Sequence, residues 1–189
     1  MFEFLIYVDK YLFYLLNKSF YFPLLDNFFV TLTDLNKIVF IKYLLIAFIF
    51  YILFLGTKKS KFVLAILIVS IFISDQISSQ FLKNIFMRLR PCNNLDDVRL
   101  LVSCGSGFSF PSSHATNAFT VSILLSAFYK NFRNHFIILA FLVGYSRIYV
   151  GVHYPFDVIF GFVIGFIISN LILIILKKFF KSTFDIVTV

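Results

Sequence analysis

Apolar residues fall along this chain in long runs separated by short polar turns. Five runs predict helices that cross a bilayer: residues 38–55, 62–86, 113–129, 136–149 and 156–176. About 20 residues at ~1.5 Å rise cover a hydrocarbon layer ~30 Å thick, so the fourth run is short. A lipid-embedded chain must satisfy its backbone internally, and the pattern therefore predicts an all-α, polytopic helical bundle with five clear spans. Residues 1–20 predict a further helix, interfacial or a sixth span. Glu3, Lys10 and Asn17 recur every seven residues and would share one helical face, which favours an amphipathic helix lying in the interface. Residues 24–35 predict a short helix leading into the first clear run. Residues 1–189 read as a single integral membrane domain, without internal repeat or low-complexity linker.

Composition agrees: 60% of residues are hydrophobic and 14% charged, against ~45–50% and ~25% in soluble domains. A net charge of +8 could suggest nucleic acid, but the basic residues gather in short turns. They form three groups: Lys58, Lys59 and Lys61; Lys130 and Arg133; Lys177, Lys178 and Lys181. Placing these turns in the cytoplasm satisfies the positive-inside rule at each. No basic stripe is interleaved with stacking aromatics, so nucleic acid is excluded as a partner. Segments 83–111 and 147–155 then emerge together on the outer face. Cys92 and Cys104 both lie there, where an oxidising compartment would permit a disulfide. Closing that loop stabilises by ~3 kcal/mol in the chain-entropy model; two separate thiols are the alternative. Within 62–86, Asp75, Ser79 and Lys83 are spaced i, i+4 and i+8 on one stripe, with Gln76 and Gln80 beside it. An ionisable residue at depth costs about 2.5–3.5 kcal/mol on insertion scales and faces the bundle interior. Asp75 therefore either supports the chemistry from behind or pairs with another buried polar group.

Three polar groups would meet at the outer headgroup level. The first is Lys83-x6-Arg90-Pro91, the second Pro111-Ser112-Ser113-His114, and the third Ser146-Arg147-x5-His153-x3-Asp157. Lys83, Arg90 and Arg147 bring three fixed cations. Arginine's planar fork suits bidentate phosphate binding, while lysine acts as a point charge. Ser112 suits the N-cap of a helix whose first free N–H groups, on Ser113 and His114, form an anion site. Pro155 suits the first turn of the next helix, which puts His153 just before a second helix start. An imidazole can attack phosphorus and form a covalent intermediate, and Asp157 can fix its tautomer and support the developing charge. His114 can then protonate the leaving group.

These motifs resemble those of the type 2 phosphatidic-acid phosphatase family, K-x6-R-P, P-S-G-H and S-R-x5-H-x3-D, in the same order. The resemblance implies a six-helix membrane core over nearly the whole chain. It implies His153 as nucleophile, His114 as general acid and Asp157 as the partner of His153. Lys83, Arg90, Ser112, Ser113 and Arg147 would bind the phosphate. It also implies a metal-independent reaction with no cofactor. Ser113 departs from the family pattern, which has glycine there; a first-turn φ is negative and tolerates a Cβ, and the N–H is retained.

The implied activity is hydrolysis of a phosphate or diphosphate headgroup on a membrane lipid, at the periplasmic face of a bacterial inner membrane. Small bacterial members of the family act on undecaprenyl diphosphate, lipid A 1-phosphate or phosphatidylglycerophosphate, with the first two favoured here. The competing class is a non-catalytic protein that binds or flips a phospholipid, for which the Asp75 stripe could line a path. The implied partners are the phosphorylated lipid and the bilayer; the oligomeric state is left open.

Overall fold

The computed structural model describes residues 2–35 and 38–180, and every regular element among them is helical. Helix α1 is Phe2–Tyr14, continued by a widened π turn at Leu15–Ser19. Two further helices follow, α2 at Asp26–Thr33 and α3 at Val39–Leu55. Helix α4, Lys58–Asp75, runs through a π-helical segment, Gln76–Leu82, into α5 at Lys83–Phe86. The short α6 is Pro91–Asn94. The C-terminal half is α7 at Ser113–Phe128, α8 at Arg133–Tyr149 and α9 at Pro155–Phe179. All five apolar runs of the sequence are helical, with ends shifted by up to four residues. Two helical stretches among the described residues, Lys58–Asn94 and Pro155–Phe179, are long and apolar enough to cross a membrane, and Val39–Leu55 is apolar but shorter.

The boundaries have local causes. Thr57 caps α4, its hydroxyl accepting the N–H of Ser60 at 3.2 Å. Met87, at φ 45°, ends α5 and redirects the chain toward Arg90. Ser112 caps α7, and Pro155 opens α9 where its missing N–H costs nothing.

Helix α7 lies at the centre, packed by α4, α8 and α9. Small residues set how closely α9 approaches. A Cβ on Gly161 would stand 2.8 Å from the carbonyl oxygen of Ser112, and one on Gly165 would stand 2.6 Å from that of Thr116. Helices in lipid associate through such close backbone contact. Thr116 and Thr120 keep this seam satisfied by donating back to the carbonyls of Ser112 and Thr116, at 3.0 and 2.9 Å. Gly165→Val is therefore expected to push α9 off α7 at an overpacking cost of about 1–3 kcal/mol. Thermal unfolding in detergent reads this directly; an unchanged midpoint would mean the seam is loose.

Helix α3 buries none of its residues, and Phe40 and Phe54 are each 74% exposed. An apolar helix uncovered by protein calls for a lipid environment. The start of α4 with Lys58 and Lys59, the link into α8 with Lys130 and Arg133, and the end of α9 with Lys177 and Lys178 lie at one end of the bundle. There Lys59 sits 5.3 Å from the centre of the Tyr129 ring. Lys181, the remaining member of the third basic group, lies outside the described residues.

The N-terminal segment departs from the heptad reading in one respect. Asn17 does not share an exposed face with Glu3; it is fully buried. Its amide donates to the carbonyls of Arg99, Ile148 and Tyr149 at 2.9–3.2 Å and accepts the N–H of Arg99 at 3.0 Å. Two of those carbonyls belong to the last turn of α8, which has no partner within its own helix. The inward stripe is Asp9, Phe13 and Asn17, each at most 1% exposed. The π turn beginning at Leu15 changes the angular step, so a pure α-helical period misplaces Asn17.

Candidate active site

The ends of α5 and α8, the starts of α7 and α9, and the turns between them meet at the end of the bundle away from the lysine-rich turns. Residues 150–154 carry His153 into the cluster. Gly151 has φ +87°, and a Cβ there would lie 2.7 Å from the carbonyl oxygen of Arg99, so the turn needs glycine on both conformational and spatial grounds. The N–H groups of Val152 and His153 both donate to the carbonyl of Arg147, at 3.1 and 3.2 Å. The backbone of Arg147 thus holds the turn that presents His153.

His153 is 1% exposed. Its Nε2 faces Arg90 Nη1 at 3.4 Å. A guanidinium only donates, so Nε2 carries the lone pair and the proton is assigned to Nδ1. Nδ1 points at Asp157 Oδ2, 3.4 Å away, inside ion-pair range but without hydrogen-bond geometry. Such contacts are often long before substrate binds. Burial, followed by the cations Arg147, Arg90 and Lys83, holds the imidazole well below its ordinary pKa. The ring is neutral at neutral pH.

Asp157 is fully buried. Oδ2 accepts the N–H of Tyr154 at 2.8 Å and Oδ1 accepts Arg88 Nη1 at 2.7 Å. Its backbone carbonyl accepts the N–H of Ser112 at 3.0 Å, joining the second motif to the third. Ser112 caps α7, its hydroxyl accepting the N–H of Ala115 at 3.4 Å. The N–H groups of Ser113 and His114 precede the first intrahelical bonds and have no partner within the helix.

The cations surround this point. Arg90, 7% exposed, is oriented by the carbonyls of Gly107 and Val152, each at 3.3 Å. A disulfide between Cys92 and Cys104 ties α6 to the loop that supplies Gly107. Lys83 lies within electrostatic range of Arg90, Arg147, Asp75 and Asp157. Arg147 donates to the Thr33 hydroxyl at 2.5 Å and stands 4.0 Å from Asp34, while its buried Nε makes no hydrogen bond among the described residues. His114 is exposed and within electrostatic range of Arg147, His153 and Lys83.

Asp75 sits behind this group. Oδ1 accepts Ser79 Oγ at 3.0 Å and Asn117 Nδ2 at 3.5 Å, and Ser79 Oγ meets Ser113 Oγ at 2.8 Å. The serine that departs from the family pattern is thus anchored to the π segment that continues α4. The π segment at Gln76–Leu82 forms the wall on this side, whereas Gln76 and Gln80 are exposed.

Sequence reasoning missed Asp9, Arg88, Thr33 and Ser109, whose N–H and hydroxyl hold the Arg88 carbonyl at 2.7 and 3.2 Å. Arg88 stands two residues before Arg90 and carried a charge signal; Asp9 carried none, because its partners are more than 75 residues away.

Residues 59–181 match the PAP2 superfamily. The lipid A 4'-phosphatase of Porphyromonas gingivalis is 32% identical over 177 residues, 90% of this chain and 73% of that one. The undecaprenyl-diphosphatase of Sulfolobus acidocaldarius is 38% identical over 122 residues, covering 64% of this chain and 57% of that one. The crystal structure of Aquifex aeolicus LpxE superposes with a TM-score of 0.71 at 34% identity, covering 88% of this chain and 94% of that one.

Proposed function

Because the chain belongs to the PAP2 superfamily, we propose that it removes a phosphate group from a membrane lipid through a phosphohistidine formed on His153. The supporting observation is that Arg90 meets the His153 ring at 3.4 Å while the buried Arg147 Nε beside them makes no hydrogen bond among the described residues. A phosphate oxygen would satisfy that donor.

His153 Nε2 attacks phosphorus as the bond to the leaving oxygen breaks, and His114 supplies the proton that oxygen needs. Lys83, Arg90 and Arg147, with the N–H groups of Ser113 and His114, stabilise charge on the equatorial oxygens. Asp157 supports the imidazolium that forms. Water, deprotonated by His114, then attacks the phosphohistidine and releases phosphate. The chemistry requires no metal. Residues 1–189 act as one domain in which the five apolar helices span the bacterial inner membrane, the reacting groups face the periplasm and the N-terminal helix lies at the interface. Reporter fusions at loops and termini test that topology.

The favoured substrate is a lipid A phosphate, since the lipid A 4'-phosphatase match runs through nearly the whole chain. Undecaprenyl diphosphate is next, and phosphatidylglycerophosphate third. Phosphate release by the purified full chain from each lipid ranks them; no release from any would refute the proposal. Orthovanadate, a mimic of the phosphoryl group in flight, is expected to inhibit, and EDTA to leave the rate unchanged. Inactivation by EDTA reversed by one divalent metal would overturn the metal-free chemistry. A lipid-flipping role draws no support from Asp75, which is hydrogen-bonded behind Ser113.

A further inference from the structure

The guanidinium of Arg88 bridges two buried carboxylates. Nη1 donates to Asp157 Oδ1 at 2.7 Å, and Nη2 donates to Asp9 Oδ2 at 2.6 Å. Asp9 and Asp157 are 1% and 0% exposed. The other oxygen of Asp9 accepts the N–H of Phe156 at 2.8 Å, in the first turn of α9. Arg88 also stacks over the Tyr154 ring, 3.9 Å from its centre, and Phe13, one turn beyond Asp9, meets that ring edge-on at 5.6 Å. Helix α1 therefore reaches directly behind His153 and Asp157. Asp9 lies outside the segment that matches the superfamily, residues 59–181.

We propose that Asp9 and Arg88 are positioning residues that, together with Asp157, set the charge behind the nucleophile at one net negative unit. Neither touches the substrate. The proposal rests on His153 being the nucleophile. Arg88 orients Asp157 through Nη1, but alone it would also cancel the charge of that carboxylate. Asp9 restores it. When the bond from His153 Nε2 to phosphorus forms and the bond to the leaving oxygen breaks, the ring retains its Nδ1 proton and becomes a cation. His114 gives its proton to the leaving oxygen. A net negative trio against Nδ1 favours the cationic ring, whereas a neutral Arg88–Asp157 pair would not.

The test uses the full chain in detergent and reads single-turnover phosphoenzyme formation and steady-state KM with lipid A. Asp9→Asn keeps the shape and the acceptor for Phe156 while removing the charge. A unit charge several ångströms away at an effective dielectric of ~20 corresponds to a slowing of about 50-fold, with KM within about twofold because no phosphate ligand has changed. The double variant Asp9→Asn/Arg88→Gln returns the group to one net negative unit and is expected to recover most of the rate. A merely structural role for α1 predicts a double variant at least as impaired as Asp9→Asn. That result, or a wild-type rate in Asp9→Asn, overturns the proposal. If Asp9→Asn does not fold, Asp9→Glu and the double variant carry the test: Asp9→Glu must react near the wild-type rate and the double variant within about tenfold of it, the shortfall reflecting the lost contact from Arg88 Nη1 to Asp157. His153→Ala, measured alongside, separates the cases: a phosphoenzyme there refutes the nucleophile assignment, whereas its absence with normal Asp9→Asn kinetics refutes only the trio.

Discussion

His153→Ala is expected to abolish phosphate release, with a loss of about 10⁴-fold or more, the scale seen when a covalent nucleophile is removed. The substituted protein should still bind vanadate or phosphate, because Lys83, Arg90, Arg147 and the start of α7 remain. Binding without turnover is the signature of a residue that makes and breaks a bond. The direct measurement traps the protein–phosphate adduct under alkaline conditions, which preserve a phosphorus–nitrogen bond. A normal yield of adduct in His153→Ala would place the nucleophile elsewhere. Burial and three nearby cations keep the His153 ring unprotonated at neutral pH. The lone pair on Nε2 is therefore available without prior loss of a proton.

His114→Ala is expected to have the second-largest effect, about 10²–10⁴-fold, the usual range for a positioned general acid. Its size should depend on the leaving group. A sugar or glycerol alkoxide is basic and needs protonation early, so lipid A and phosphatidylglycerophosphate should suffer most. A phosphate leaving from undecaprenyl diphosphate, or nitrophenolate leaving from an aryl phosphate, needs less help and should suffer less. Equal losses across these substrates would remove His114 from the acid role, leaving only its N–H as a phosphate contact. His114 is exposed as a residue whereas His153 is buried, which matches this division. An acid must reach an oxygen that arrives with the substrate, whereas a nucleophile is held by the protein beforehand.

Much of this architecture was legible along the chain because it depends on near neighbours. Ser112 caps the helix that follows it, Pro155 opens α9, and long apolar runs leave the backbone no alternative to helix in lipid. The stripe from Asp75 to Ser79 was also legible, since i, i+4 spacing is a property of one helix. What it faces was not. Ser79 meets Ser113 across more than 30 residues, and nothing local to either position announces the other. Asn17 shows the opposite failure: its seven-residue relation to Glu3 and Lys10 was real in sequence, but a π turn intervenes and three backbone carbonyls draw the amide inward.

Asp9 and Arg88 lay furthest from view. An acidic residue in an apolar N-terminal helix looks like part of a polar, water-facing stripe until the partner arginine and the start of α9 are brought against it. The order of residue types along the polypeptide is enough to define the helices, the lysine-rich turns and the groups able to hold a phosphate, because capping, periodicity and side-chain chemistry act over a few residues. Which of those groups touch, which imidazole is buried and which exposed, and which carboxylate stands behind Asp157 follow from how α1, α7, α8 and α9 pack. Those contacts link positions tens of residues apart, and their energy exists only once the chain has closed around them.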